Sequence, residues 1–559
     1  MKNRSRGFLF QCFIFAFLFV LLISFSGTAG YAETINVTTL SDDVDGSLRT
    51  AIASADSYDD VISFDVTGTI ILDRELTIDH GLTIQGPGTE DLAISGNGAC
   101  RVFIISSAES VDISGISIVS GDASGDHGGG IYNTSDKLTV ENVTFSGNSA
   151  YRGGGMYNTN YSSPTVTNCT FTGNHSNYGG GIYNDGGSPI VTSCIFTGNS
   201  TSGNGGGMFN FRSSPTVNNS TFSGNGAYSG GGMANNYSDP TVTNCTFSEN
   251  SAESTGGGMD NRSSSSPTVT NCTFFKNSVT IYYGGGMYNN SSDLTMTNCT
   301  FTGNSAPSGG GMYHHNGTLE VTNCIFWGDT PEEIISTNKT GFTYCVISDD
   351  LSSYYGDNNI NTDPLLASLA DNGGPTQTCA LGEGSSAIDS GLTMDTISSD
   401  QRGFARPWPE GGSFDIGAFE YIPKFSISTT YSEGGTIDPE NPIVSSGEDV
   451  TFTITADESY HLSQIDIDGE PYFTHLSYEE YVYSDTYTFS NVTSDHTISA
   501  TFAADESDDP VDPVDPVDPP DDPEEPSEEP DLEGGTCSIG AFSPLAGLLV
   551  LPLLLMFKK

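Results

Sequence analysis

Three consecutive glycines followed by Ile or Met return eight times, at Gly128, Gly153, Gly179, Gly205, Gly230, Gly256, Gly284 and Gly309, in steps of 25, 26, 26, 25, 26, 28 and 25 residues. Each triplet is followed by Asn or, once, His, a short polar turn, a small strand ending in Phe, and another polar turn. A fixed period of this length predicts a solenoid, because one repeat is too small to bury a core alone and must stack on its neighbours.

The apolar positions fall into columns. One holds Ile131, Met156, Ile182, Met208, Met233, Met259, Met287 and Met312, and a second holds Val140, Val166, Val191, Val217, Val242, Val269, Met296 and Val321. The Phe column runs Phe145, Phe171, Phe196, Phe222, Phe247, Phe274, Phe301 and Phe326. Cys169, Cys194, Cys245, Cys272, Cys299 and Cys324 lie two residues before it, on the same strand face. Parallel strands place such cysteines about 4.8 Å apart with parallel Cα–Cβ bonds, whereas a disulfide needs Cβ atoms at roughly 3.8 Å. A ladder of buried thiols is therefore expected. Cys100, Cys345 and Cys379 lie outside this register, and no Cys/His spacing suits zinc.

Asparagine makes three further columns. One is Asn148, Asn174, Asn199, Asn225, Asn250, Asn277 and Asn304, ending at Asp329; another is Asn133, Asn158, Asn184, Asn210, Asn235, Asn261 and Asn289, ending at His314. The third, at the bend before the Cys register, reads Asn142, Asn168, Asn218, Asn244, Asn271, Asn298 and Asn323. Stacked amides satisfy turn groups that strands cannot, and Asn tolerates left-handed backbone. Three short strands and three turns per repeat predict an all-β, right-handed parallel β-helix, with the glycines as its tight corner. At about 4.8 Å per coil the regular part extends on the order of 40 Å. The Phe-x-x-Asn and Gly-Gly-Gly-Ile/Met segments resemble the repeat of polymorphic outer-membrane proteins. No run of amphipathic strands follows, so the resemblance does not imply a barrel for export.

The flanks divide by texture. Residues 1–32 form a secretory signal: Lys2, Arg4 and Arg6, an apolar run Phe8 to Phe25, and Gly30-Tyr31-Ala32 before Glu33, with an uncleaved anchor as the alternative. Residues 33–125 hold a short helix with Leu48, Ala51, Ile52 and Ala55 on one face, expected to cap the solenoid, then irregular first coils. Residues 126–350 are the regular coils. Residues 351–423 break the period; Ser386-Ala-Ile-Asp-Ser-Gly391, Asp400-Gln-Arg-Gly403 and Asp415-Ile-Gly-Ala-Phe-Glu420 resemble the choice-of-anchor Q segment, which implies a C-terminal cap. Asp389, Asp400, Arg402, Arg406, Asp415 and Glu420 there suit an active site or a structural ion-pair cluster. Residues 424–503 alternate at period two between Gly/Pro turns, resembling the internalin-type B repeat; Glu479, Glu480 and the nearby tyrosines are open to a partner-binding reading, with a solvated strand edge as the default. Residues 504–533 are an acidic Pro-rich stalk with Val-Asp-Pro three times over. In 534–559, Gly534, Gly535 and Cys537 precede an apolar run and two lysines. This tail resembles a Synerg-CTERM sorting signal, which implies a rhomboid-like sortase, and its plain reading is a transmembrane anchor.

The net charge of -53, from 70 Asp+Glu against 17 Lys+Arg, disfavours nucleic acid and anionic membrane surfaces as partners. A polysaccharide lyase or glycoside hydrolase needs convergent carboxylates with a cation nearby. The coils offer Lys137, Arg152, Arg212, Arg262 and Lys276, with acids scattered at differing registers, and no rung joins them into such a set. No catalytic residue, metal or cofactor is expected on the coils. The aromatics beside the glycines (Tyr132, Tyr157, Tyr183, Phe209, Tyr288, Tyr313) are open to two readings: an exposed stripe for stacking sugars, or cover for the turn. The chain therefore reads as an exported, surface-anchored protein that adheres to an extracellular polysaccharide or other surface ligand, with the lyase or hydrolase as the alternative.

Overall fold

A computed structural model describes residues 32–56, 59–337, 341–354, 356–474 and 481–505. The leader up to Tyr31, Glu479 and Glu480, the stalk from Glu506 and the tail with Gly534, Gly535 and Cys537 lie outside the described residues. Among the described residues no helix is long and apolar enough to cross a membrane.

The coils stack as a parallel β-solenoid. Three inner sheets of 13, 12 and 11 strands run along it, from Thr34–Val37 to Phe342–Thr343, from Gly68–Ile71 to Val346–Ile347, and from Leu76–Ile78 to Ile334–Ser336. Pairing is in register, so Val140 faces Val166, Phe145 faces Phe171 and Met156 faces Ile182 in the next coil. From Phe145 to Phe301 successive Phe rings stack with centroids 4.3–4.8 Å apart and planes within 2–6°. Each ring is fully buried, which stabilises the fold by roughly 1.5–3 kcal/mol per ring before entropy is counted.

A fourth sheet is absent from the three-strand expectation. Seven strands, from Asp122–His127 to Ser278–Val279 and including Ser149–Arg152 and His175–Tyr178, form it between the Asn turn and the glycine triplet. Each triplet then folds this outer strand back on the inner one. A Cβ at Gly153 (φ +64) would meet Met156 O at 2.3 Å, and one at Gly154 would meet Gly180 O at 2.5 Å and His175 O at 2.6 Å. Only glycine fits where backbones approach this closely.

The polar ladders close most of the remaining groups. Asn148 Nδ2 donates to Asn174 Oδ1 (3.0 Å) and to Ile118 O (2.9 Å), while its backbone N–H also reaches Asn174 Oδ1 (3.0 Å). The pattern repeats to Asn304, which donates twice to Asp329 Oδ1 at 2.6 and 2.8 Å. The second ladder runs from Asn133 to Asn289 and stops opposite His314, leaving Asn289 Nδ2 without a partner. At the bends, Asn168 and Asn244 have φ of +51° and +54°. One assignment is corrected. Asn219 (φ +50) holds the bend and accepts from Asn244 Nδ2, while Asn218 lies on the strand facing Thr192 and Thr243.

The described cysteines are free thiols, and Cys345 extends the column. Cys245 N–H donates to Cys272 Sγ and Cys299 N–H to Cys324 Sγ, while Ser220 takes one rung between Cys194 and Cys245. Burial pushes the Cys345 thiol up to about 12.

At the N-terminal end the helix Leu48–Ser54, capped by Ser47, buries Leu48, Ala51 and Ile52 against the core, as expected. At the other end Tyr354 meets Phe342 edge-on at 5.3 Å, and Ile360 bridges to Val346. The rest of the 351–423 segment does not sit on that end. It runs back along the flank, over the outer face of the Phe-bearing sheet. Thr246 Oγ1 donates to Gln377 O (2.6 Å), Thr273 Oγ1 to Gln401 Oε1 (2.6 Å), and Ala418 N–H to Thr300 Oγ1 (3.0 Å). It therefore buttresses several coils, and the hydroxyls beneath it have lost all exposure or nearly so.

The chain forms two compact units. The first holds the solenoid and the other described residues to Thr429, with Pro439–Phe452 and Thr486–Ile498; the second holds Thr430–Asp438, the described residues of Thr453–Asp485 and those from Ser499. In the first, Lys424 to Ser426 pair antiparallel with Ser445 to Ile443; in the second, Gly435–Asp438 pairs antiparallel with Ala456 to Thr453, and Gln464 to Ile467 with Thr474 to Glu470. The period-two strands of a small β module are thus present.

Two outcomes follow from the ladders. Burial, then the neighbouring Glu333 carboxyl, pushes Asp329 well above the ordinary carboxylate range. The folded site thus holds its proton more tightly than the unfolded chain, and its stabilisation, present in acid, is lost as pH rises. Asp329→Asn is expected to continue the amide ladder, raise the unfolding midpoint at pH 8 by the equivalent of about 1 kcal/mol, and flatten its fall between pH 5 and pH 8. A thiol reagent is expected to leave the column unreacted in native buffer and to label it in denaturant, with no mass change on prior reduction.

Candidate functional site

The aromatic column was the site most open to ligand on sequence grounds, and the outer sheet corrects that reading. Tyr157, Tyr183, Phe209 and Tyr288 retain only 3, 3, 4 and 8% exposure, and Tyr132 and Tyr313 are half-buried. The residues on the strands folded over by the glycines are the cover. His127 lies 4.6 Å from the Tyr157 ring, the Arg152 guanidinium 5.3 Å from Tyr183, and Tyr283 4.2 Å from Tyr313. Tyr157, Tyr183, Phe209 and Ala234 thereby form a small second core between inner and outer sheets. Their turn-covering reading holds and the exposed stripe does not.

One place in this layer carries charge. Asp260, aligned between Ala234 and Tyr288, pairs with Arg262 at 2.7 Å and accepts from Thr255 Oγ1 at 2.5 Å. Burial raises its carboxyl, against the pull of Arg262. The pair seals a place where an aromatic ring is missing. It is the one ion pair with both partners in the regular coils among the described residues, and no described group of three or more His, Cys, Asp and Glu could hold a metal ion.

The aromatics that do face outward were not singled out by the period. Tyr151 (38%), Tyr228 (44%) and Tyr282 (48%) stand on or beside the outer strands, and Tyr161 (75%) and Tyr237 (55%) at turns. Alternation in Ser149-Ala-Tyr-Arg152 and Gly226-Ala-Tyr-Ser229, with Ala150 buried and each Tyr exposed, was the available signal.

The charged residues of the flanking segment meet as a buried network. Arg406 pairs with Glu420 at 2.8 Å with neither side chain exposed, and Arg402 with Asp400 at 2.7 Å. Their carboxylates also hold the segment's own backbone. Asp400 accepts from Arg402 N–H and Glu420 N–H, Glu420 from Trp408 N–H and Asp415 N–H, and Asp415 from Asp389 N–H and Tyr421 N–H. These bonds hold the loops of the segment in place. Of the six residues read as candidates, Asp389 alone keeps its carboxylate outside the network; it is exposed and left-handed at φ 53.

Comparison with known proteins matches a right-handed beta helix region over residues 175–326 and a divergent InlB B-repeat domain over residues 425–506. The handedness of the solenoid and the B-repeat character of the module are as expected. No curated protein matches the chain. Among solved structures, ORF18 of Geobacillus virus E2 is similar at 12% identity over 82% of this chain and 77% of its own, with a TM-score of 0.18, a likeness too slight to inform either fold or function.

Burial, then the neighbouring Glu420, raises the Asp415 carboxyl to about 7. A carboxyl raised above its unfolded value stabilises the fold while protonated and loses that contribution as pH climbs through about 7. Hydrogen exchange, corrected for intrinsic rates, is therefore expected to show peptides containing the Asp389 and Tyr421 amides well protected at pH 5 and less so at pH 8. Asp415→Asn gives up one acceptor, so its protection is lower at pH 5 and changes less between the two.

Proposed function

We propose that the chain is an exported cell-envelope protein whose solenoid displays a non-catalytic binding surface toward an extracellular polysaccharide or another surface ligand. The observation that carries the reading is the joining of a parallel β-helix to a B-repeat domain in one chain, a combination that fits a surface-type protein. The coils support it, since their ladder asparagines are buried and bonded to one another, while Tyr151, Tyr161, Tyr228, Tyr237 and Tyr282 are among the groups that face outward. The sequence supplies the rest of the proposal. A leader ends at Ala32, the 351–423 segment resembles choice-of-anchor Q, and the tail bears Gly534, Gly535 and Cys537 for a rhomboid-like sortase, with its apolar run as the membrane attachment.

The full-length protein, incubated with a panel of neutral and acidic polysaccharides in the presence of Ca²⁺, is expected to be retained by at least one of them with no change in polymer length. Shortening of any polymer would overturn the non-catalytic reading in favour of a lyase or hydrolase. Mass spectrometry of the termini from producing cells is expected to find Glu33 first and the apolar tail removed near Cys537; an intact leader and tail would remove the export and sorting steps.

A further inference from the structure

A cavity of about 590 Å³ lies near the N-terminal cap, but Arg49 and Arg74 there are tied to Asp42 and Asp43. A second cavity, of about 470 Å³, is built differently. It is lined by Trp408 and Tyr421 of the flanking segment, by Asp389, and by Gly447, Asn491 and Thr493. All six belong to the same compact unit. Its size suits a small organic ligand or one or two rings of a larger one.

The lining is positioned before any ligand arrives. Glu420, held by Arg406, accepts the backbone N–H of Trp408 at 2.8 Å and so fixes the chain from which the indole projects. The indole lies against Gly447, where a Cβ would come within 3.0 Å of Trp408 Cη2. Asp415 fixes both Asp389 and Tyr421 by their backbone N–H groups. The buried ion-pair network thus organises this rim.

The functional groups of the rim, in contrast, are uncommitted. The Asp389 carboxylate, the Trp408 indole N–H, the Tyr421 hydroxyl, the Asn491 amide and the Thr493 hydroxyl make no hydrogen bond to the described residues. Two aromatic side chains and the apolar Ile388, Pro409 and Pro423, bordered by unpaired donors and acceptors, suit a pyranose ring, whose C–H face packs on an aromatic ring while its hydroxyls both donate and accept. Charge narrows the class. No Lys or Arg lines the cavity and one carboxylate does, which disfavours uronates, phosphates and other anions. Proline-rich peptides also favour aromatic pockets, but the chain's own proline-rich stretch, 508–530, is acidic and carries no basic residue.

We infer that this cavity binds a neutral pyranose unit of a glycan, stacked on Trp408 and hydrogen-bonded by Asp389 and Asn491. The inference rests on the reading of the chain as a binder of surface ligands and gives that reading a site.

The test uses tryptophan fluorescence of the full-length protein. The chain has two tryptophans, so Trp327→Phe leaves Trp408 as the reporter. Titration with neutral oligosaccharides (cello-, manno- and galacto-tetraose and tetra-N-acetylchitotetraose) is expected to change its emission saturably for at least one, with tetragalacturonate at least tenfold weaker. Trp408→Ala is expected to lower the affinity for the bound neutral sugar about tenfold by calorimetry. Asp389→Asn, which keeps a residue tolerant of left-handed backbone, is expected to weaken that sugar severalfold and to narrow the discrimination against tetragalacturonate. Failure of every neutral sugar to move Trp408, preference for tetragalacturonate, or tighter response to a Val-Asp-Pro repeat peptide overturns the site. Loss of the site with polymer retention intact leaves the surface-binding reading standing. Sugar binding at Trp408 together with polymer cleavage would overturn the non-catalytic reading and keep the site.

Discussion

Close backbone contact at the glycine triplets is the constraint on which the rest of the solenoid depends. Where Gly154 lies within van der Waals reach of the backbone of Gly180 and His175, no side chain can intervene. That contact lets an outer strand turn back and lie against an inner one. It creates a second apolar layer outside the first, and it decides that Tyr157, Tyr183 and Phe209 are buried. A single Cβ at the middle glycine would separate the layers for its own coil and for the next, because each rung's glycine carbonyl is the surface on which the neighbour rests. The triplet is thus a packing surface as much as a turn.

Parallel, in-register stacking imposes a second rule: every column must tolerate its own copy one coil away. Phe satisfies this by stacking, Asn by donating an amide hydrogen to the oxygen of the next Asn, and Cys by donating a weak S–H to carbonyl oxygens while its sulfur accepts from the backbone N–H of the preceding coil. Charges cannot repeat this way, because like charges at about 4.8 Å repel in a dry interior. The ionisable exceptions accordingly fall where a column ends or is interrupted. Asp329 closes the Asn ladder, and Asp260 with Arg262 fills a break in the aromatic layer.

These columns were legible in the chain because periodicity reports contacts between equivalent residues. The inward identity of Met156, Val166, Cys169 and Phe171 and the roles of Asn174 and Asn158 could be read from spacing alone. The outer sheet could not. Ser149-Ala-Tyr-Arg152 and His175-Ser-Asn-Tyr178 are short, polar and unlike one another, so their strand character comes from pairing with each other rather than from propensity. Nor was the flank legible, since Gln377, Gln401 and Ala418 meet Thr246, Thr273 and Thr300 across separations of more than a hundred residues that obey no period. The slip from Asn219 to Asn218 has the same origin. Two adjacent asparagines satisfy the pattern equally, and only the bend, with its left-handed backbone, chooses between them.

The same logic explains why the proposed sugar site lies in the flanking segment, while the regular coils offer only a repetitive outer surface. A column that must match its copy has little freedom to present several different groups to one ligand, and the buried ladder amides up to the final rung already have their partners in the next coil. Convergence of unlike side chains needs a segment released from the period but held rigidly. The flanking segment meets both conditions, because it lies on the solenoid through threonine hydroxyls and is braced internally by the Arg406–Glu420 and Arg402–Asp400 pairs. Breaking either pair would leave a buried charge unpaired, at a cost of several kcal/mol, so the network is stiff where the rim it carries is chemically open. Trp408 and Asp389 belong to that rim, with indole and carboxylate free while their backbones are fixed. In this fold repetition makes the scaffold, and the irregular segment laid against it supplies the place where different groups meet.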